Sequence, residues 1–117
     1  MELHERVTVF AEDFAFCTKI LTALGDETRQ YLILEMLKSN RCGGVRVCEI
    51  TEKTNLSRTS VSHHLQILKQ SGIVKVRKEG TKNFYYFDPD ADMLKKLTET
   101  LTLATDIAKA LPERHGE

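Results

Sequence analysis

The stretch Leu56-Ser57-Arg58-Thr59-Ser60-Val61-Ser62-His63-His64-Leu65-Gln66-Ile67-Leu68 carries its own start and stop signals. Ser57 is a natural N-cap, and Gly72, just past Gln70-Ser71, is a natural C-terminal stop, so a helix of about four turns is expected. At helical spacing Val61, Leu65 and Leu68 share one apolar stripe, while Arg58, Thr59, Ser62 and His63 fall on the other side. The polar side is built of small groups with a single Arg, which suits the edges of nucleic-acid bases better than a protein core. Any fold for this chain has to bury the stripe and leave that face open.

The neighbouring segments tell what surrounds this helix. Upstream, a short helix from Cys48 to about Thr54 carries Ile50 and is joined to it through the turn Asn55-Leu56. Two short helices with a tight turn, the second polar at its N-terminal end, are the helix-turn-helix layout. Downstream, Ile73 to Lys78 and Lys82 to Phe87 are β-prone and separated by Glu79-Gly80-Thr81, a hairpin with basic arms that reads as a wing. An ordinary edge hairpin with lysines against aggregation would explain the charge but not its place after this helix.

Charge is segregated. The chain as a whole is neutral, yet from Ser57 to Phe87 the bases Arg58, Lys69, Lys75, Arg77, Lys78 and Lys82 face the single acid Glu79. Residues 1–25 carry −2 and residues 88–117 carry −3, with residues 26–56 balanced. One face built to meet phosphates and the rest built to avoid them produces this distribution.

Both ends of the chain read as helices with a heptad seam. Leu3, Val7, Phe10, Phe14, Cys17, Leu21 and Leu24 recur at alternating threes and fours over a single expected helix from Glu2 to Leu24. Leu94, Leu97, Leu101, Ala104, Ala108 and Leu111 do the same after the Asp88-Pro89-Asp90 break. Between them, Gly25 ends the first helix and Asp26 N-caps a structural second helix to Ser39, which buries some combination of Tyr31, Leu32, Leu34, Met36 and Leu37. The short Val45-Arg46-Val47 is a candidate strand.

At 117 residues one domain is expected. No apolar run approaches a membrane span, the start lacks a secretory pattern, and three cysteines, an odd and sparse set, suit a reducing compartment, so a cytoplasmic protein is expected.

The motifs Leu24-Gly25-Asp26-Glu27-Thr28-Arg29, Val47-Cys48-Glu49-Ile50, Leu56 to Leu68, Gly72-Ile73-Val74 and the wing from Arg77 to Tyr86 together resemble the ArsR/SmtB family of winged-helix repressors. The resemblance implies a mostly α fold with a small β-hairpin wing, a homodimer joined through its first and last helices, and an inverted-repeat operator released by an effector. It implies that Arg58, Thr59, Ser62 and His63 face bases, with Ser57, Ser60, His64, Lys78 and Lys82 nearer the backbone. The chain then reads as a single winged-helix domain over 1–117, with dimerisation helices at 1–24 and 92–112, the helix-turn-helix at 47–71 and the wing at 73–87. The seamed ends support a dimer independently, because the little domain between them cannot cover both.

The effector is less legible. Many members of that family sense metals through a Cys-x-Cys near the start of the first motif helix, and Arg46-Val47-Cys48 keeps only the second cysteine. An Arg lowers a neighbouring thiol's pKa but cannot ligate a metal. The last helix offers Asp92, Glu99 and Asp106 but no His, so a transition-metal site there lacks nitrogen ligands. Cys42 and Cys48 across Gly43-Gly44 form a candidate dithiol for a soft metal or metalloid or for oxidation, set against an inert reading in which Cys48 is buried and Cys42 incidental. A winged helix used purely as a protein-interaction module is the alternative function; it requires no salt-dependent DNA binding. Enzyme signatures are missing: there is no phosphate-cradling Gly loop, no H-E-x-x-H and no Gly-flanked nucleophile.

Overall fold

The structure is a computed structural model that describes residues 1–39 and 43–112. Its elements are α1 (Leu3–Phe16), α2 (Thr18–Leu24), α3 (Glu27–Ser39), α4 (Val47–Lys53), α5 (Arg58–Gln70), β1 (Val74–Glu79), β2 (Lys82–Phe87) and α6 (Ala91–Ala110). They group into two compact units, Met1–Thr18 with the chain from Ala91 onward, and Lys19–Asp90.

In the first unit α1 packs along α6, tied by an ion pair between Asp13 and Lys96 at 3.5 Å. The Thr100 hydroxyl donates to the Lys96 carbonyl at 2.7 Å, so its oxygen is left to accept from the buried Cys17 thiol at 3.8 Å. Cys17 is thus a small buried group, as its place in the seam suggests. The single helix expected over residues 2–24 is instead broken at Cys17. The Cys17 N–H is shared between the Asp13 and Phe14 carbonyls, and the Thr18 hydroxyl donates to the Ala15 carbonyl at 2.7 Å. Such back-bonding by a β-branched hydroxyl competes with the helical ladder and ends α1 at Phe16, well short of Leu24, where the heptad spacing would carry it.

The second unit is organised by α5. Val61, Leu65 and Leu68 are fully buried and pack toward α3, α4 and β1. At its start the Ser57 hydroxyl accepts from the Ser60 N–H at 3.1 Å. At its end Gly72 takes a positive φ of 83°, and the Ile73 and Gly72 N–H groups return to the Leu68 and Lys69 carbonyls. This is the paired closure of a helix by a left-handed glycine, with Ile73 and Leu68 buried together beneath it. α3 buries Leu32, Ile33 and Met36 and leaves Tyr31, Leu34 and Leu37 exposed.

β1 and β2 form an antiparallel hairpin with Val74 opposite Phe87 and Glu79 opposite Lys82. Only Gly80 and Thr81 form the loop, and Gly80 supplies the positive φ of 62° that such tight hairpins need. Glu79 therefore belongs to the strand rather than to the turn. Of the expected strand Val45-Arg46-Val47, only Val45 pairs: it exchanges two backbone hydrogen bonds with Tyr85, at 2.7 and 2.8 Å, before α4 begins at Val47. The Glu49 carboxylate accepts from the Arg46 N–H at 3.0 Å and starts that helix early.

Candidate nucleic-acid interface

Around the buried stripe of α5, Arg58, Thr59, Ser62 and His63 are all exposed. Thr59 and His63 lie opposite the stripe, and Gln66, one turn on, extends the same open face. Gln66 was not among the expected base-facing residues, although its spacing three positions after His63 marks it. Ser57 is exposed, and because its oxygen already accepts from Ser60, its own O–H remains available as a donor. Ser60 is half-buried.

His64 sits differently from its neighbour. It is half-buried, and its Nδ1 lies 3.2 Å from Nη1 of Arg29 and 4.0 Å from the Asp26 carboxylate. Arg29 is itself buried; its Nε donates to the Ala23 carbonyl and its Nη2 to the Thr22 carbonyl, closing the last turn of α2. The Asp26 side chain caps α3 through the Arg29 N–H at 3.0 Å. That hydrogen bond is the chief reason the Asp26 pKa is lowered, with the Arg29 and His64 charges adding to it against a desolvation cost. Burial pushes the His64 pKa down, aided by Arg29 and His63 and opposed by Asp26. Sequence reasoning placed Asp26 as a cap but missed Arg29 as the link from α2 and α3 to α5. α3 carries other charged residues, Glu27, Glu35 and Lys38, so its charge pattern gave no signal that singled Arg29 out.

The wing's cations divide. Lys75 pairs with Asp88 at 3.4 Å and Arg77 pairs with Glu79, so both are internally neutralised. Arg77 also donates to the Gly43 carbonyl at 2.9 Å and lies over the Phe84 ring at 4.8 Å. Among the described residues Arg58, Lys78 and Lys82 have no ion-pair partner, and all three are exposed. The register puts Lys78 beside Asn83 on one face of the hairpin and Lys82 beside Glu79 on the other.

Of the candidate thiols, Cys48 is free and half-buried, while Cys42 lies outside the described residues. Among the described residues no three His, Cys, Asp or Glu side chains converge as metal ligands, and no helix is long and apolar enough to cross a membrane.

A helix-turn-helix with an open polar recognition face and a basic wing has known counterparts. The family model described as bacterial regulatory protein, arsR family, matches residues 26–76. An uncharacterised HTH-type transcriptional regulator of Methanocaldococcus jannaschii is 46% identical over 79 residues, spanning 68% of this chain and 85% of that protein. The chain belongs to the ArsR family. It is a DNA-binding transcriptional regulator with the winged helix-turn-helix fold of that family. Among further ArsR-type relatives, the Bacillus subtilis transcriptional repressor SdpR is 35% identical over 75 residues, spanning 64% of this chain and 77% of SdpR. A Staphylococcus aureus homologue of the cadmium resistance regulatory protein CadC is 35% identical over 82 residues, spanning 69% of this chain and 63% of that protein. A solved ArsR family transcriptional regulator superposes with a TM-score of 0.65 at 18% identity, covering 87% of this chain and 96% of that one, a likeness of fold.

Proposed function

We propose that this ArsR-family protein is a cytoplasmic homodimeric repressor that binds an inverted-repeat operator, with α5 in the major groove and the wing on the flanking backbone. The observation that carries the reading is the open face of α5: Thr59, Ser62 and His63 project away from the buried Val61-Leu65-Leu68 stripe, and Arg58 is exposed at the flank of that face. Small hydroxyls and an imidazole there can meet base edges without steric conflict. Ser57, Ser60, Lys78 and Lys82 supply phosphate contacts, and the His64 Nε2 is the one ring nitrogen that Arg29 leaves for the same purpose.

The dimer is carried by the first unit. α1 and α6 pack on each other yet leave Phe14, Leu94, Leu101 and Leu111 exposed, an apolar surface that a second copy would cover. Two-fold symmetry then predicts half-sites about one helical turn apart.

The CadC-like relative is named for cadmium resistance, which suggests a soft metal or metalloid as effector. In this chain the described donor set at the corresponding helix is one thiol, Cys48, next to Arg46, and a single thiol does not make a metal site. No metal step therefore enters the mechanism.

The test is fluorescence anisotropy on DNA from the protein's own upstream region, over a salt series, for the reduced wild type and a Cys42→Ser/Cys48→Ser variant, each with and without a soft-metal or oxidant challenge. Tight binding that weakens steeply with salt is expected of the repressor. A protein that shows no salt-dependent binding is an interaction module instead. Release of the wild type alone by the challenge would make the thiols the sensor.

A further inference from the structure

We propose that the cleft between the wing tip and the heads of α4 and α5 seats a backbone phosphate of the operator, held by Arg46 and Arg58. This deepens the DNA-binding reading and rests on it. The cleft has a volume of about 100 Å³ and is lined by Arg46, Val47, Cys48, Arg58, Thr81 and Asn83. Its chemistry is one-sided. Among the described residues that line it are two arginines, a threonine, an asparagine and Cys48, and no acid. Among the described residues neither Arg46 nor Arg58 has an ion-pair partner, which distinguishes them from Arg77 and Lys75 nearby. Planar guanidinium forks match the tetrahedral oxygens of a phosphate better than any other side chain.

The position of the cleft is set by the backbone rather than by chance side-chain placement. Val45 pairs with Tyr85 on the edge of β2, so the chain running on into Arg46 and Val47 is laid beside Phe84 and Asn83. Gly44 makes the approach feasible: it has a φ of 90°, and a Cβ there would stand 2.7 Å from the Tyr85 carbonyl oxygen. Arg58, for its part, leaves α5 about 50° from the centre of the buried stripe, on the wing side, whereas Thr59 and His63 point straight out. It reaches the cleft, not the middle of the reading face. Arg58 therefore acts on the backbone and fixes register, leaving base selection to Thr59, Ser62 and His63. Lys78, on the Asn83 face of the hairpin, adds positive charge on the same side, while Lys82 faces away.

The experiment compares wild type with Arg46→Ala, Arg58→Ala and Asn83→Asp, reading affinity for the upstream duplex and for scrambled duplex across a salt series. Alkylation of Cys48 by iodoacetamide, followed peptide by peptide in the mass spectrometer, reports occupancy of the cleft. Arg46→Ala should weaken specific and scrambled DNA alike by at least about tenfold, the scale of a lost charge-assisted hydrogen bond. In a dimer that loses two phosphate contacts, the log–log salt slope should become shallower by about 1.8. Asn83→Asp, which brings a carboxylate to the cleft, should weaken binding further with an unchanged melting profile, and DNA should shield Cys48 in the wild type. Unchanged affinity and slope in Arg46→Ala, with wild type binding normally, would overturn the clamp and leave the repressor reading intact. So would a changed base preference in Arg58→Ala, or protection of Cys48 by inorganic phosphate but not by DNA. Absence of salt-dependent binding in the wild type sinks the underlying reading instead.

Discussion

The Arg29 guanidinium donates through Nη1 to Nδ1 of His64 at 3.2 Å, and this contact decides the protonation of the imidazole. A guanidinium has no acceptor, so Nδ1 carries no proton and His64 is the neutral Nε2–H tautomer. Protonation would place a second positive charge against Arg29, with the His63 ring tilted close by and Asp26, at 4.0 Å, opposing them. Burial is the largest cause of the lowered His64 pKa; the Asp26 carboxylate opposes it, and the Arg29 and His63 charges add to it.

A pH dependence of stability follows. His64 binds its proton more weakly folded than at its ordinary pKa of 6.5, so its contribution is fully present above 6.5 and is lost as pH falls below that value toward the lowered folded one. Asp26, also lowered, keeps its contribution until pH falls below its ordinary 3.8, in a separate and more acidic window. Urea midpoints measured from pH 7.5 to 5 should decline for the wild type and stay flatter for His64→Asn, whose amide oxygen can accept from Arg29 without titrating. Parallel declines in the two proteins would place the titrating group elsewhere.

Arg29 should be hard to replace. It joins three acceptors on α2 and α5 while buried, so Arg29→Ala leaves the Ala23 and Thr22 carbonyls and His64 without their donor. A loss of about 2–4 kcal/mol is expected. Arg29→Lys should recover little of it, because a point-like ammonium cannot span the same fork. Denaturant titration of the two variants is the check, and full recovery by Lys would mean that charge rather than geometry matters.

Base preference and bulk affinity should separate by residue. Ser62→Ala or His63→Ala should cost about 1–3 kcal/mol on the operator and relax selection at one position of each half-site. Lys82→Ala, on the outer face of the wing, should weaken all sequences about equally. Competition binding against a library of single-base operator variants distinguishes them; a Lys82→Ala protein with altered base preference would move the wing from the backbone into a groove.

What the sequence showed of this fold was local chemistry. Ser57, Gly72 and Gly80 each sit where a cap, a helix stop or a hairpin turn requires that residue type, and the structure uses all three so. The period of Val61, Leu65 and Leu68 likewise carried its burial directly. The misses arise where the deciding partner is remote in the chain. Heptad spacing ran through Cys17, whose buried thiol meets Thr100, 83 positions on. Arg29 and His64 are 35 positions apart, and the Val45–Tyr85 bridge that brings Arg46 to the wing spans a similar gap. Contacts of that kind have no signature in periodicity.

The exposed apolar surface of the first unit yields the last prediction. Phe14 is 47% exposed and Leu101 51%, although each lies on a seam whose period calls for a covered position. If the second copy covers them, Leu101→Glu places a charge in an interface that would otherwise be dry, at a cost of several kcal/mol per protomer. The same substitution on a lone protomer is an exposed change on a helix that tolerates Glu well, worth only tenths of a kcal/mol. The helical signal in circular dichroism should therefore persist while sedimentation shifts from dimer to monomer. Operator affinity should fall by about 100-fold or more, because the two half-sites no longer bind as one unit. A Leu101→Glu protein that remains dimeric with normal operator affinity would remove α6 from the interface and leave its exposed leucines to some other partner.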